Sequence, residues 1–181
     1  MKNKKINVAV IVGSDSDLPV IAGATKILDD FGVTYSVAVA SAHRTPEKVK
    51  QYIQTSEKQG AEVFIAGAGM AAALPGVVAA ETTLPVIGVP LESKALAGVD
   101  ALFSIVQMPP GIPVATVAIG KAGATNAGLL AVEILSIKYQ GLKTKLKAYR
   151  KKMAGAVTEK DNLLRKLGIM KYIEKLSASS R

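Results

Sequence analysis

The chain has 181 residues, 23 Lys and Arg against 14 Asp and Glu, a formal charge of +9, one histidine, and neither cysteine nor tryptophan. Hydrophobic residues make up 49% and the mean hydropathy is +0.29, which excludes intrinsic disorder and supports one buried core of ordinary domain size. The missing cysteines exclude disulfide scaffolds, thiolate metal sites and cysteine nucleophiles, and a single histidine excludes a multi-histidine metal site.

The basic start (Lys2, Lys4, Lys5) leads into an apolar run, Val8 to Val12, that stops after five residues at Gly13. That run is too short for a signal peptide or a membrane span, so it reads as a buried strand of a protein expected in the cytoplasm, with no membrane partner. Strand-like runs then alternate with helical patterns, as in a parallel α/β sheet. The first strand is predicted over 6–12. A helix follows over 17–30, with Ile21, Ala24, Ile27 and Leu28 on one face and Gly32 as its stop. A second strand, 34–40, runs into Ser41-Ala42-His43-Arg44-Thr45-Pro46. There Thr45 suits an N-cap and Pro46 the first position of a helix over 47–58, closed by Gly60. A third strand, 62–66, opens into Gly67-Ala68-Gly69 and a small-residue helix over 71–80. Strands over 84–90 and 114–119 and helices over 101–106 and 123–137 complete the pattern. The basic tail continues as helix, split near Gly155 or Thr158. The fold expected is a three-layer α/β/α sandwich with a parallel flavodoxin-like sheet and a helical C-terminal extension.

Charge divides this chain in two. Residues 1–140 carry 11 basic and 11 acidic side chains, whereas residues 141–181 carry 12 and 3. We therefore separate an α/β catalytic domain, 1–140, from a basic extension, 141–181, packed on the same domain or on a neighbouring subunit. The extension reads as a solvated face used for packing or solubility. Nucleic-acid recognition would want stacking aromatics, and the extension has Tyr149 and Tyr172. No nucleic-acid partner is expected.

Ligands of open parallel sheets bind beyond the C-terminal strand ends, so the first three strand-to-helix loops are the candidate site. In the first, Gly13-Ser14-Asp15-Ser16-Asp17, hydroxyls and free backbone N–H groups suit a phosphate, although Ser14 or Ser16 can equally serve as a helix cap. In the second, His43 leaves a strand end beside Arg44, a cation suited to phosphate. A lone histidine is often structural, but one in this place is a natural proton shuttle. In the third, Gly67 to Gly76, small residues allow close approach of a flat ligand or, equally, close helix packing. The pattern is neither a dinucleotide fingerprint nor a Walker loop.

Taken in order, these loops together with Ser104-Ile105-Val106-Gln107-Met108-Pro109 and Gly111-Ile112-Pro113-Val114-Ala115-Thr116 resemble the N5-carboxyaminoimidazole ribonucleotide mutase family of purine biosynthesis, over about residues 6–138. The resemblance implies a homo-octamer whose sites draw on neighbouring subunits, and a reaction needing no metal, ATP, biotin or other cofactor. It implies transfer of a carboxylate from the exocyclic nitrogen of a small-molecule ribonucleotide to ring carbon C4. By the same resemblance Ser14 and Arg44 hold the phosphate and Asp17 the ribose hydroxyls. His43 is the general acid/base, and Ser41, Ala68 and Gly69 line the site. Ala71, Ala72 and Leu74 suit its apolar walls, and the stiff segment Pro109 to Pro113 suits a closing loop. An Ala/Gly-rich surface helix is expected to bury itself against neighbours.

The chain departs from the family pattern in the third loop, where Ala73 stands for the usual second histidine and Met70 for a glycine; Glu92 stands for a glutamine. These changes bear on substrate positioning and rate more than on fold. The related direct carboxylases more often read Ser-Ala-His-Lys and Ala-Gly-Arg-Ser-Asn, so the mutase reading is preferred. Direct carboxylation by CO₂ and a non-catalytic nucleotide-binding paralogue are the competing readings.

Overall fold

A computed structural model describes residues 5–179 of the chain; Lys2, Lys4 and Arg181 of the two basic ends lie outside them. Five parallel strands, β1 (Val8–Val12), β2 (Tyr35–Val39), β3 (Val63–Gly69), β4 (Val86–Leu91) and β5 (Ala115–Thr116), form one sheet in the order β2-β1-β3-β4-β5. Between them run α1 (Leu18–Phe31), α2 (Pro46–Lys58), α3 (Leu74–Glu81) and α4 (Val99–Val106), with α5 (Gly120–Ser136) after β5. This is the flavodoxin-like strand order, and it places the topological switch between β1 and β3.

Alternation along the central strands builds the layers. Ala9, Ile11, Phe64, Ala66 and Ala68 join Val49 and Ile53 of α2, Leu74 and Val78 of α3, and Ala101 and Ile105 of α4 in one core cluster. The opposite strand faces meet α1 and α5. There Gly67 is required for space: a Cβ would fall 2.7 Å from Ile21 Cδ1 of α1. Gly128 of α5 likewise meets α1 so closely that a Cβ would lie 2.7 Å from the Ala24 carbonyl oxygen. Each fully buried Val or Ile of this core contributes roughly 1.5–3 kcal/mol. α5 buries Gly123, Ala124, Ala127, Gly128 and Ala131, and its small side chains let it pack closely on α1.

Several boundaries differ from the sequence reading. β3 continues through Gly67-Ala68-Gly69, because β4 lies alongside and pairs them with Val89, Pro90 and Leu91. α3 accordingly starts at Leu74, beyond the positive-φ residue Met70. β5 is only two residues long; Pro113 before it has no N–H to give, and the chain turns into α5 after Ile119.

The chain falls into two compact units, the second beginning at Gln140. That second unit comprises α6 (Gln140–Leu167) and α7 (Ile169–Ser179). The break expected near Gly155 or Thr158 lies instead at Gly168, whose φ of +72° closes α6 while its N–H bonds the Leu164 carbonyl at 2.9 Å. Gly155 costs a helix only about 1 kcal/mol relative to alanine, too little to end one. Among the described residues no helix is long and apolar enough to cross a membrane.

Candidate active site

All seven residues singled out from sequence, Ser14, Asp17, Ser41, His43, Arg44, Ala68 and Gly69, line one cleft of about 650 Å³ at the C-terminal end of the sheet. The loops after β1, β2 and β3 converge there because β1 sits between the other two strands.

The loop after β1 is held by its own side chains. Ser14 caps a short 3₁₀ turn, Asp15–Asp17: its Oγ accepts from Ser16 N at 3.4 Å, and the Asp17 carboxylate accepts from Ser14 N at 3.1 Å. Ser16 Oγ donates to Ser14 Oγ at 2.9 Å. The capping reading of Ser14 is therefore realised, on a residue that also faces the cleft. Burial raises the Asp17 carboxyl above its ordinary value, the Ser14 N–H opposes that rise, and the Asp15 charge adds to it.

Loop two is a compact turn anchored by α2. Ser41 N donates to Thr45 Oγ1 at 2.9 Å and Thr45 N to the Ser41 carbonyl at 2.9 Å. Thr45 thus holds the turn at the N-cap position without a side-chain cap bond to α2, and Pro46 opens the helix. α2 is fixed in turn by buried Val49 and Ile53 and by Tyr52, whose hydroxyl donates to the Val10 carbonyl at 3.0 Å. Arg44 bridges the loops, its Nη2 donating to the Gly13 carbonyl at 3.4 Å and its backbone N to Ser41 Oγ at 3.2 Å. A guanidinium consequently stands beside the Ser14 turn. His43 is exposed at the cleft.

The third wall is apolar. Ala68 and Gly69 arrive at the end of β3, followed by Met70, Ala71, Ala72, Ala73 and Leu74. Ala73 occupies the N-cap position of α3 and offers no side-chain cap bond. Met70 has a positive φ of 56°.

Sequence reasoning missed Ser93 and Lys94 as lining residues and singled out Glu92 only as a departure from the family pattern; all three border the cleft directly after β4. The strand-end rule that found the first three loops would have found this one. Lys94 adds a second cation to Arg44, while Ser93 Oγ donates to Asp100 at 3.2 Å. The segment expected to close the site does not border it within this chain. Gly111, Ile112 and Pro113 lead into β5 and line a separate cleft with Glu57, Thr82 and Leu84 at the opposite end of the sheet, because a segment entering a parallel strand lies away from the strand's C-terminal end.

The family model described as AIR carboxylase matches residues 7–156, reaching further than the motifs read from sequence. A protein of Pyrococcus abyssi named N5-carboxyaminoimidazole ribonucleotide mutase is 62% identical over 167 residues, covering 92% of this chain and 95% of that protein. One of the same name from Thermotoga maritima is 52% identical over 166 residues, covering 92% and 96%. The crystal structure of Treponema denticola PurE superposes with a TM-score of 0.80 at 31% identity, over 87% of this chain and 97% of that one.

Proposed function

The chain belongs to the AIR carboxylase family, and on that premise we propose that it is a purine-biosynthesis mutase converting N5-carboxyaminoimidazole ribonucleotide into 4-carboxy-5-aminoimidazole ribonucleotide. The observation that carries this reading is the convergence of the three loops, with one histidine, one arginine and an apolar wall, on a single cleft. The substrate is a small ribonucleotide.

Each part of the cleft has a task in that chemistry. Arg44 and the Ser14 hydroxyl bind the phosphate, the guanidinium supplying charge where the loop itself brings carboxylates. Asp17, an acceptor already held by Ser14 N–H, takes the ribose hydroxyls. Ser41 and the Ala68–Gly69 backbone line the ring. In the reaction the exocyclic N–C bond breaks, CO₂ departs, and the electron pair remaining on nitrogen takes a proton from His43. Carbon C4 of the electron-rich ring then attacks the same CO₂, forming a C–C bond, and the C4 proton returns to His43. One proton is given and one taken, so His43 ends as it began and the net change is an isomerisation. Keeping CO₂ beside C4 asks for an apolar, water-poor wall, which Ala71, Ala72 and Leu74 supply.

The working enzyme is a homo-octamer in the cytoplasm, with the chemistry in residues 1–140 and the basic extension as a packing surface on the same domain or a neighbouring subunit. Supporting assembly, α4 turns Val99, Phe103 and Val106 outward on one face, Phe103 being 57% exposed. Sedimentation showing a monomer would remove this part of the reading.

The test is ultraviolet monitoring of the purified full chain with N5-carboxyaminoimidazole ribonucleotide, without ATP, metal or added bicarbonate. Turnover to the C4-carboxylated product above spontaneous decay is the expected result. Activity that appears only on adding bicarbonate to aminoimidazole ribonucleotide would replace the mutase by a direct carboxylase. Binding without turnover under either condition would leave a non-catalytic paralogue.

A further inference from the structure

A threonine at the start of a helix ordinarily turns its hydroxyl to the helix, accepting from a backbone N–H of the first turn. Thr45 stands at the N-cap position of α2 and makes no such bond. Its hydroxyl turns back to Ser41 instead, where Oγ1 accepts from the backbone N at 2.9 Å and donates to the carbonyl oxygen at 3.2 Å. Thr45 N donates to the same carbonyl at 2.9 Å. One residue thus engages both backbone polar groups of another four positions earlier. The helix forgoes a side-chain cap, and the turn before it is closed a second time.

That turn holds His43 and Arg44 between two fixed ends. On one side Ala40 N donates to the Val12 carbonyl at 2.9 Å, so Ser41 follows directly on a bond to the central strand β1. On the other, Pro46 opens α2, which is anchored by buried Val49 and Ile53. A single backbone bond from residue 45 to residue 41 makes an open α-turn; the Thr45 hydroxyl braces it. Ser41 Oγ in turn accepts from Arg44 N at 3.2 Å. These bonds join atoms of one turn in one subunit, so no neighbouring subunit is needed to supply them. A general acid/base works only within hydrogen-bond reach of the proton it moves, and a small misplacement lowers the rate steeply.

We propose that Thr45 is a positioning residue for the carboxylate transfer: its hydroxyl, by fixing Ser41, holds the turn so that His43 reaches first the exocyclic nitrogen and then C4. The proposal rests on the mutase reading above. Thr45 touches no reacting atom and moves no proton. Arg44 acts at the end of a long side chain with many rotamers, which can follow a small shift of the backbone. His43 is shorter and stiffer, so a loosened turn disturbs proton transfer more than phosphate binding.

The experiment separates kcat from KM. Thr45→Val keeps the shape of the side chain and removes the hydroxyl, whereas Thr45→Ser keeps the hydroxyl. The full-length wild type and both variants are assayed with N5-carboxyaminoimidazole ribonucleotide in H₂O and in D₂O, alongside thermal melting and sedimentation. Thr45→Val is expected to lower kcat about tenfold, as for one lost hydrogen bond, with KM little changed. Its solvent isotope effect on kcat is expected to rise, because proton transfer becomes the slow step. Thr45→Ser is expected to stay close to wild type in all three quantities. An unchanged kcat in Thr45→Val would overturn the proposal, as would a lowered kcat with an unchanged isotope effect or a loss shared equally by Thr45→Ser. Failure of Thr45→Val to fold or assemble would also overturn it, since the hydroxyl would then serve the fold. A wild-type chain that forms no product would instead strike the mutase reading, before any variant is compared, and this proposal would fall with it.

Discussion

The two ends of the sheet are built on opposite principles. At the N-terminal end the Glu62 carboxylate accepts from Asn7 Nδ2 at 3.0 Å, from the Tyr139 hydroxyl at 2.6 Å and from Lys138 Nζ at 2.7 Å. Asn7 is itself held by Thr34, whose hydroxyl donates to its amide oxygen at 2.8 Å. Residues preceding β1, β2 and β3 are thereby tied to the turn that follows α5. At the C-terminal end His43 and Arg44 are exposed, Asp17 is half-buried beside a second carboxylate, and Met70 is strained. One end joins elements distant in sequence through a single carboxylate; at the other, most side-chain hydrogen bonds stay within a loop, and Arg44 reaches from one loop to the next.

The titration of the two ends makes the contrast measurable. Burial pushes the Glu62 carboxyl up, but the hydrogen bonds from Lys138, Tyr139 and Asn7 outweigh it and hold the group below its ordinary value. Its contribution to stability is present above the ordinary glutamate range and is lost as pH falls through the lowered folded value. Asp17, raised by burial, works in the other sense. Folding favours its protonated form, so stability declines as pH rises from the ordinary aspartate range through the raised value, and the ionised group is a burden at neutral pH.

Substitutions can break or sharpen this comparison. His43→Asn has the largest expected effect, a loss of about 100- to 10,000-fold in kcat, with ribonucleotide binding and melting temperature close to wild type; near-normal turnover would remove His43 as the acid/base. Arg44→Gln is expected to raise KM by roughly 10- to 100-fold, as for a lost charge-assisted phosphate contact, and a KM unchanged in steady-state kinetics would move the phosphate elsewhere. Asp17→Asn should lower kcat/KM about tenfold while melting no lower than wild type at neutral pH. A clear fall in melting temperature would mean that its carboxylate serves the fold rather than the ligand. Glu62→Gln is the mirror image and the smallest effect: activity retained, stability at neutral pH lower by about 1 kcal/mol, and the acid-side decline of the melting curve flattened. An acid limb identical to wild type would show that the network does not govern it.

Local chemistry makes much of the architecture legible in the sequence. The five apolar runs, Gly32 as a left-handed stop and Pro46 at a helix start are decided by a few neighbouring residues. His43 and Arg44 are readable as residues of the cleft because the end of a strand in a parallel sheet is a known place. The same rule covers Lys94, which follows the end of β4 but belongs to none of the motifs singled out.

What tertiary structure alone decided concerns groups far apart in sequence. The length of β3 depended on a neighbouring strand to pair Ala68 and Gly69, and the break in the tail on which glycine adopts a left-handed turn rather than on which glycine is present. Pro109 to Pro113 suggests stiffness but says nothing about which end of the sheet it borders; that follows from the direction in which β5 is entered. Nor does a methionine in a glycine-rich loop disclose that its backbone is strained and its side chain exposed over the cleft. Composition, spacing and capping act within a few residues, whereas register, burial and strain are set by whichever parts of the chain folding brings together.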